Sequence, residues 1–182
     1  DEEEFTEGDP HVWFDPTRVK TMVANIAADL SALDADGAPS YEARLATYQA
    51  NLDQLDIAIS ERIELVPVER RKMVTNHDAL RYFAERYGLE IVGTVIPGID
   101  TRAEASARDI ADLLEVIDEA QVPAIFAENT TNPELAEELA AQAGITIVDD
   151  LYTDSLGDAD SGANTYIGLM QTDTRLIVEA LR

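Results

Sequence analysis

With 182 residues, 46% of them hydrophobic, the chain has enough apolar material for one full domain with a real core, or one domain plus part of another, but not for two large domains. Thirteen basic residues against 37 acidic ones give a formal charge of -24, a balance that repels the phosphates of nucleic acid and anionic membrane surfaces and favours cations as small partners. The absence of cysteine excludes thiolate metal sites, disulfides and Cys nucleophiles, and no apolar run approaches the roughly 20 residues of a bilayer-spanning helix.

The chain opens Asp1-Glu2-Glu3-Glu4, with no initiating Met and no signal-like stretch, and reads as a processed piece of something longer. Asp9-Pro10-His11-Val12-Trp13-Phe14-Asp15-Pro16 then sets one of only two histidines in a proline-bracketed turn. Pro16 suits the first position of a helix capped by Asp15, and Val19, Met22, Val23, Ile26, Ala27 and Leu30 carry its apolar stripe to about Leu33. Turn formers fill Asp34 to Ser40, where Ser40 is expected to cap the next helix. From Tyr41, apolar residues at Leu45, Tyr48, Leu52, Leu55, Ile59 and Ile63 predict a helix of about 26 residues, on the order of 40 Å, that Pro67 stops.

Strand and helix then alternate. Strands are expected at 72–76, 90–96, 124–127 and 145–148, and helices at 79–87, 103–120, 132–143 and 165–181. This rhythm predicts an α/β fold, a four-stranded parallel sheet with helices on both faces, preceded by a long connecting helix. Ligands of such sheets gather outside the carboxyl ends of the strands, where strand order reverses. His77 and Asp78 follow the first strand, Pro97-Gly98-Ile99-Asp100 the second, Glu128-Asn129 the third, and Asp149 to Asp154 the fourth.

No Gly-x-Ser-x-Gly elbow, Gly-x-Gly-x-x-Gly or Walker pattern occurs, which sets aside nucleophilic hydrolysis and phosphate cradling. Paired-carboxylate glycosidase chemistry is a weak signal in a chain with 37 acids, most of which serve as solvated surface. Metal binding remains: His11, His77 and at least one carboxylate meeting at the sheet's ligand edge form a nitrogen and oxygen set suited to Zn, Mn or Fe. Read blandly, His11 packs on Trp13 or caps a carbonyl, His77 is hydrogen-bonded by Asn76 or Asp78, and Asp154 is a loop carboxylate.

The ordered set Asp9-Pro10-His11-Val12-Trp13, Asn76-His77-Asp78-Ala79-Leu80-Arg81-Tyr82-Phe83, Ala127-Glu128 and Thr153-Asp154-Ser155-Leu156-Gly157 resembles the metal-binding solute-binding proteins of ABC importers, the zinc and manganese receptor or adhesin lipoprotein (cluster A-I) family. Thr165-Tyr166-Ile167-Gly168-Leu169-Met170 resembles the family's closing helix, so the likeness covers nearly the whole chain. The resemblance implies two α/β lobes joined by one rigid helix, with the metal held in the cleft by four side chains. Residues 1–38 would be the tail of a truncated amino-terminal lobe, 39–66 the connecting helix and 67–182 the carboxyl-terminal lobe.

By motif position His11, His77 and Asp154 would be the second, third and fourth metal ligands, and the first, an upstream histidine, has no counterpart. An incomplete site should be open and weak, and the stripe of the 16–33 helix should lie exposed, favouring a nonnative dimer. Histidine at the third position, with the nitrogen-rich set, points to Zn2+ ahead of Mn2+ as the transported ligand. Glu128, Asp78 and Asn76 are the candidates to support the ligating imidazoles. The expected function is therefore non-catalytic: an extracytoplasmic receptor, periplasmic or lipid-anchored, that delivers a divalent transition metal to an ABC permease. Two rivals are a metal-dependent hydrolase, which would need a free general-base carboxylate beside a metal-bound water, and a surface adhesion module whose binding ignores chelators.

Overall fold

The computed structural model describes residues 8–97, 105–130 and 132–182. The first long element, α1 (Pro16–Leu33), begins as its sequence dictates: Asp15 accepts from the Thr17 N–H at 2.8 Å, and Pro16 occupies a position whose N–H has no intrahelical partner. Asp34 shapes the turn that follows, accepting from the Gly37 N–H at 3.1 Å and the Tyr41 hydroxyl at 2.8 Å. The second helix, α2 (Ala38–Ile63), returns alongside α1, and Lys20 reaches Asp53 across the pair.

The expected cap at Ser40 is corrected here. Helix α2 starts at Ala38 with Gly37 as its cap, so Ser40 already lies inside the first turn and its N–H donates to the Gly37 carbonyl at 2.9 Å. Pro39 does not oppose this, because a first-turn proline forfeits no intrahelical bond. The apolar spacing along α2 serves two neighbours. Leu52, Leu55, Ile59 and Ile63 are buried against the body of the fold, whereas the upper half of the helix lies against α1. On α1 itself Met22, Ile26, Leu30 and Leu33 remain exposed.

Four parallel strands follow: β1 (Lys72–Thr75), β2 (Glu90–Thr94), β3 (Ala124–Glu128) and β4 (Thr146–Leu151), ordered β2-β1-β3-β4. They alternate with α3 (Arg81–Tyr87), α4 (Ala107–Ala120), α5 (Glu134–Ala143) and α6 (Tyr166–Leu181). The period-two pleat splits the core into two layers. Met73 and Phe126 face one way, toward Leu55, Phe83, Met170 and Ile177, whereas Val74, Ile125 and Ala127 face Leu113, Ile117 and Leu139 on the opposite side. Both faces of the sheet are thus covered by helices, as the sequence rhythm requires.

Boundaries moved where a cap outranked periodicity. The helix expected from residue 103 begins at Ala107, because Ser106 and Asp109 form a reciprocal capping box, the Ser106 N–H donating to Asp109 at 2.8 Å and the Asp109 N–H to Ser106 at 3.2 Å. The segment Gly98-Ile99-Asp100 expected at the ligand edge lies outside the described residues, as do the first seven. Among the described residues, no helix is long and apolar enough to cross a membrane.

Candidate metal centre

Strand order reverses between β1 and β3, since the chain leaves β1 for β2 on one side and returns to β3 on the other. The crevice outside the carboxyl ends of those two strands is where the topology leaves room for a ligand. His77 enters it two residues past β1, and Glu128 is the last residue of β3. The segments are stitched together by the Asn76 N–H, which donates to the Phe126 carbonyl at 2.8 Å.

His77 is fully buried, and its Nδ1 lies 2.6 Å from both carboxylate oxygens of buried Glu128. The His77 backbone N–H also donates to Glu128 Oε1, at 3.2 Å. His11 is held by the same device made locally: Asp9 Oδ1 accepts from the His11 backbone N–H at 3.0 Å and lies 2.7 Å from Nδ1. A carboxylate against Nδ1 places the imidazole proton there and leaves the Nε2 lone pair free to bind. The two Nε2 atoms meet at 3.3 Å, with Asp154 Oδ1 3.7 Å from the first and Oδ2 3.6 Å from the second. All three expected ligands are therefore brought together, drawn from residues 11, 77 and 154, their donor atoms within 4.8 Å of one another.

Two facing lone pairs in a buried pocket repel each other unless a cation lies between them. The smallest such cation is a proton. Burial pulls the His77 pKa down, but its hydrogen bond to Glu128 and the charges of Glu128, Asp154 and Asp78 outweigh that and hold it above the ordinary histidine value. The alternative occupant is a metal. Two nitrogens each about 2.05 Å from a tetrahedral zinc ion stand roughly 3.3 Å apart, the separation found here between the histidines.

Of the three expected supporting residues, Glu128 grips His77 directly. Asp78 is buried but turns to Arg81, so its pull on His77 acts through charge, and Asn76 is buried in the same bend. Asp9 was missed. Its signal was present in Asp9-Pro10-His11, where an Asp two residues before a histidine, with a proline between, can fold back on the backbone and ring that follow. The Ser155 hydroxyl, next to Asp154, accepts from the Asn129 side chain at 3.3 Å.

The profile described as zinc-uptake complex component A, periplasmic (ZnuA), matches residues 1–180. Among curated relatives, the zinc-binding protein TroA of Treponema pallidum is 36% identical over 183 residues, spanning 98% of this chain and 59% of TroA. The manganese-binding lipoprotein MntA of Halalkalibacterium halodurans is 34% identical over 173 residues, spanning 95% and 57% respectively. The solved structure of the periplasmic zinc-binding protein TroA of Treponema pallidum superposes with a TM-score of 0.90 at 34% identity, covering 98% of this chain and 65% of that one. The chain thus spans less than two thirds of the length of each.

Proposed function

The chain belongs to the zinc-uptake component A family of periplasmic metal-binding proteins, and on that premise we propose that it is a non-catalytic, extracytoplasmic receptor that captures a divalent transition metal and passes it to an ABC permease. His11, His77 and Asp154 are its ligands in this reading, and Asp9 and Glu128 hold the two imidazoles. The observation that carries it is the meeting of two buried, carboxylate-backed Nε2 atoms at 3.3 Å beside a carboxylate. The domain assignment is part of the same proposal: residues 39–66 connect, 67–182 form one lobe, and 1–38 belong with the other.

Zinc is the favoured cargo over manganese. A pair of imidazoles with a single carboxylate suits a borderline ion that accepts four-coordinate geometry, and the nitrogen separation matches a tetrahedral site. Named relatives of both kinds, zinc-binding TroA and manganese-binding MntA, make the discrimination experimental. A tetrahedral shell built on these three ligands has one further position, for water or another donor.

Selectivity comes from ligand type and spacing, and release from separating ligands that lie on different segments. Residue 11 precedes α1, whereas residue 77 leaves β1, so any shift of the first segment against the sheet draws the two histidines apart. A hydrolase would need a free base beside the metal-bound water, but the Glu128 carboxylate is taken up by His77 and one Asp9 oxygen by His11.

The test is elemental analysis of this chain after exposure to limiting zinc or manganese, alongside His77→Ala and Asp154→Ala. Zinc retained near one equivalent by the unsubstituted chain, and weakened about 100-fold or more by His77→Ala, is the expected result. Equal metal content in all three proteins would remove the reading.

A further inference from the structure

Asp154 is the weak member of the three ligands. Its side chain is 37% exposed, and among the described residues no hydrogen bond to another side chain fixes its carboxylate, whereas both histidines are buried and braced. Something else must aim it. The chain just before it is held at two points: the Tyr152 N–H donates to Asp173 of α6 at 3.1 Å, and the Thr153 carbonyl, on the peptide that leads into Asp154, accepts the Trp13 indole N–H at 3.2 Å.

The second of these bonds joins residues 140 positions apart and closes a circuit around the site. Trp13 lies two residues after His11, with its ring edge against that imidazole at a centroid distance of 5.3 Å and an interplanar angle of 67°. Its own carbonyl accepts the Tyr166 hydroxyl at 2.7 Å, which ties the segment to α6. Because a peptide unit is planar, fixing the Thr153 carbonyl also fixes the Asp154 N–H and Cα, the point from which the carboxylate reaches the site.

We propose that Trp13 is a positioning residue for the metal site, its indole N–H holding the Thr153–Asp154 peptide so that the one exposed ligand is presented to the ion already bound by the histidines. This rests on the assignment of His11, His77 and Asp154 as ligands. It makes Trp13 a coupling element as well: the segment carrying His11 and the loop carrying Asp154 move as one unit, so the two ligands are delivered or withdrawn together.

The test is a double-substitution cycle in this chain, with zinc alone as the probe in competition with a chromogenic chelator. Trp13→Phe keeps an aromatic ring beside His11 but removes the N–H together with the pyrrole part of the indole, two effects that a background without Asp154 separates. It is expected to weaken zinc binding about five- to tenfold, the worth of a neutral hydrogen bond. In an Asp154→Ala background the same substitution should change affinity by less than about twofold, because the bond then has no ligand to aim. A similar loss in both backgrounds means that Trp13 acts through His11 packing or folding, and no loss in either means that the bond is idle; both overturn the proposal.

A second measurement keeps Trp13 in place. It is the only tryptophan, so its emission reports the surroundings of this indole without labelling. Saturating zinc should shift that emission in the unsubstituted chain and not in Asp154→Ala, and a shift that persists without Asp154 overturns the coupling. Should His77→Ala and Asp154→Ala leave zinc affinity unchanged, the ligand assignment itself fails and this inference falls with it, a result distinct from additivity in the cycle.

Discussion

Glu128→Gln isolates what a buried carboxylate does for a histidine proposed as a metal ligand. The side chain is isosteric and can still accept from the His77 ring, but the charge 2.6 Å from Nδ1 is gone. At an effective dielectric of about 20, a unit charge acting across about 4 Å is worth roughly 4 kcal/mol, an upper bound here because it acts on a partial charge transferred through the ring. A loss of zinc affinity of about 10- to 100-fold at pH 8 is therefore expected, the range for a partner that orients a ligating imidazole.

The pH dependence makes this prediction sharper. Burial lowers the His77 pKa, but Glu128, Asp154 and Asp78 raise it further, so in the unsubstituted protein a proton competes with the metal from above the ordinary histidine value downward. Removing the Glu128 charge weakens the metal complex and the imidazolium together. The deficit of Glu128→Gln should then be largest at pH 8 and shrink toward pH 5.5, where proton competition in the parent protein is strongest. Chelator-competition titrations at intervals between those limits measure it. A deficit that is constant with pH, or absent at pH 8, would refute the idea that Glu128 acts on His77 through its charge.

Three further outcomes concern the scaffold. Burial pushes the Asp173 carboxyl up to about 8, partly offset by the Tyr152 N–H, so the protein loses stability as pH rises from the unfolded value of 3.8 toward 8, by at most about 1.4 kcal/mol per unit; Asp173→Asn should flatten that slope in urea titrations. The Arg86 hydrogen bonds, joined by the Tyr87 hydroxyl, hold the Asp56 carboxyl below its usual range against the opposing effect of its burial, which gives stability above the ordinary carboxylate pKa that is lost as pH falls through the lowered one. Arg86→Met should cost about 1 kcal/mol at pH 7 and lessen the decline in acid, because the pair is only partly buried. A Cβ at Gly168 would collide with the Gly162 carbonyl, so Gly168→Ala should cost about 1–3 kcal/mol by denaturant unfolding; a change under about 0.5 kcal/mol would show that the loop before α6 yields freely.

The fold was largely legible because most elements agree with their own local chemistry. Asp15 with Pro16 opens α1 and Thr165 opens α6, its hydroxyl accepting from the Gly168 N–H at 3.1 Å. Local caps moved the helix starts, and two strand ends moved because their surroundings made an unfavourable residue acceptable. The last strand was expected to stop at Val148 but runs to Leu151, because β4 is an edge strand on which Asp149 and Asp150 face solvent. The third strand was expected to stop at Ala127 but includes buried Glu128, a residue that belongs in no strand core until His77 stands opposite it.

The site divides along the same line. His11, His77 and Asp154 were readable as types and as motif positions, and the rule for parallel sheets named the edge where they meet. Their supports were readable in part: Glu128, 51 positions from His77, was among the expected supports, whereas Asp9 was not. Asp9 reaches His11 across two residues and could have been seen, but nothing in the sequence around Trp13 announces a bond to a carbonyl 140 positions away. That asymmetry has a physical origin. A ligand must be a particular chemical type, so the sequence displays it, whereas a support need only supply a donor or an acceptor at the right place, and many residue types can do so. What the structure adds in this chain is the Asp9 carboxylate against His11 and the Trp13 bond that joins the His11 segment to the Asp154 loop.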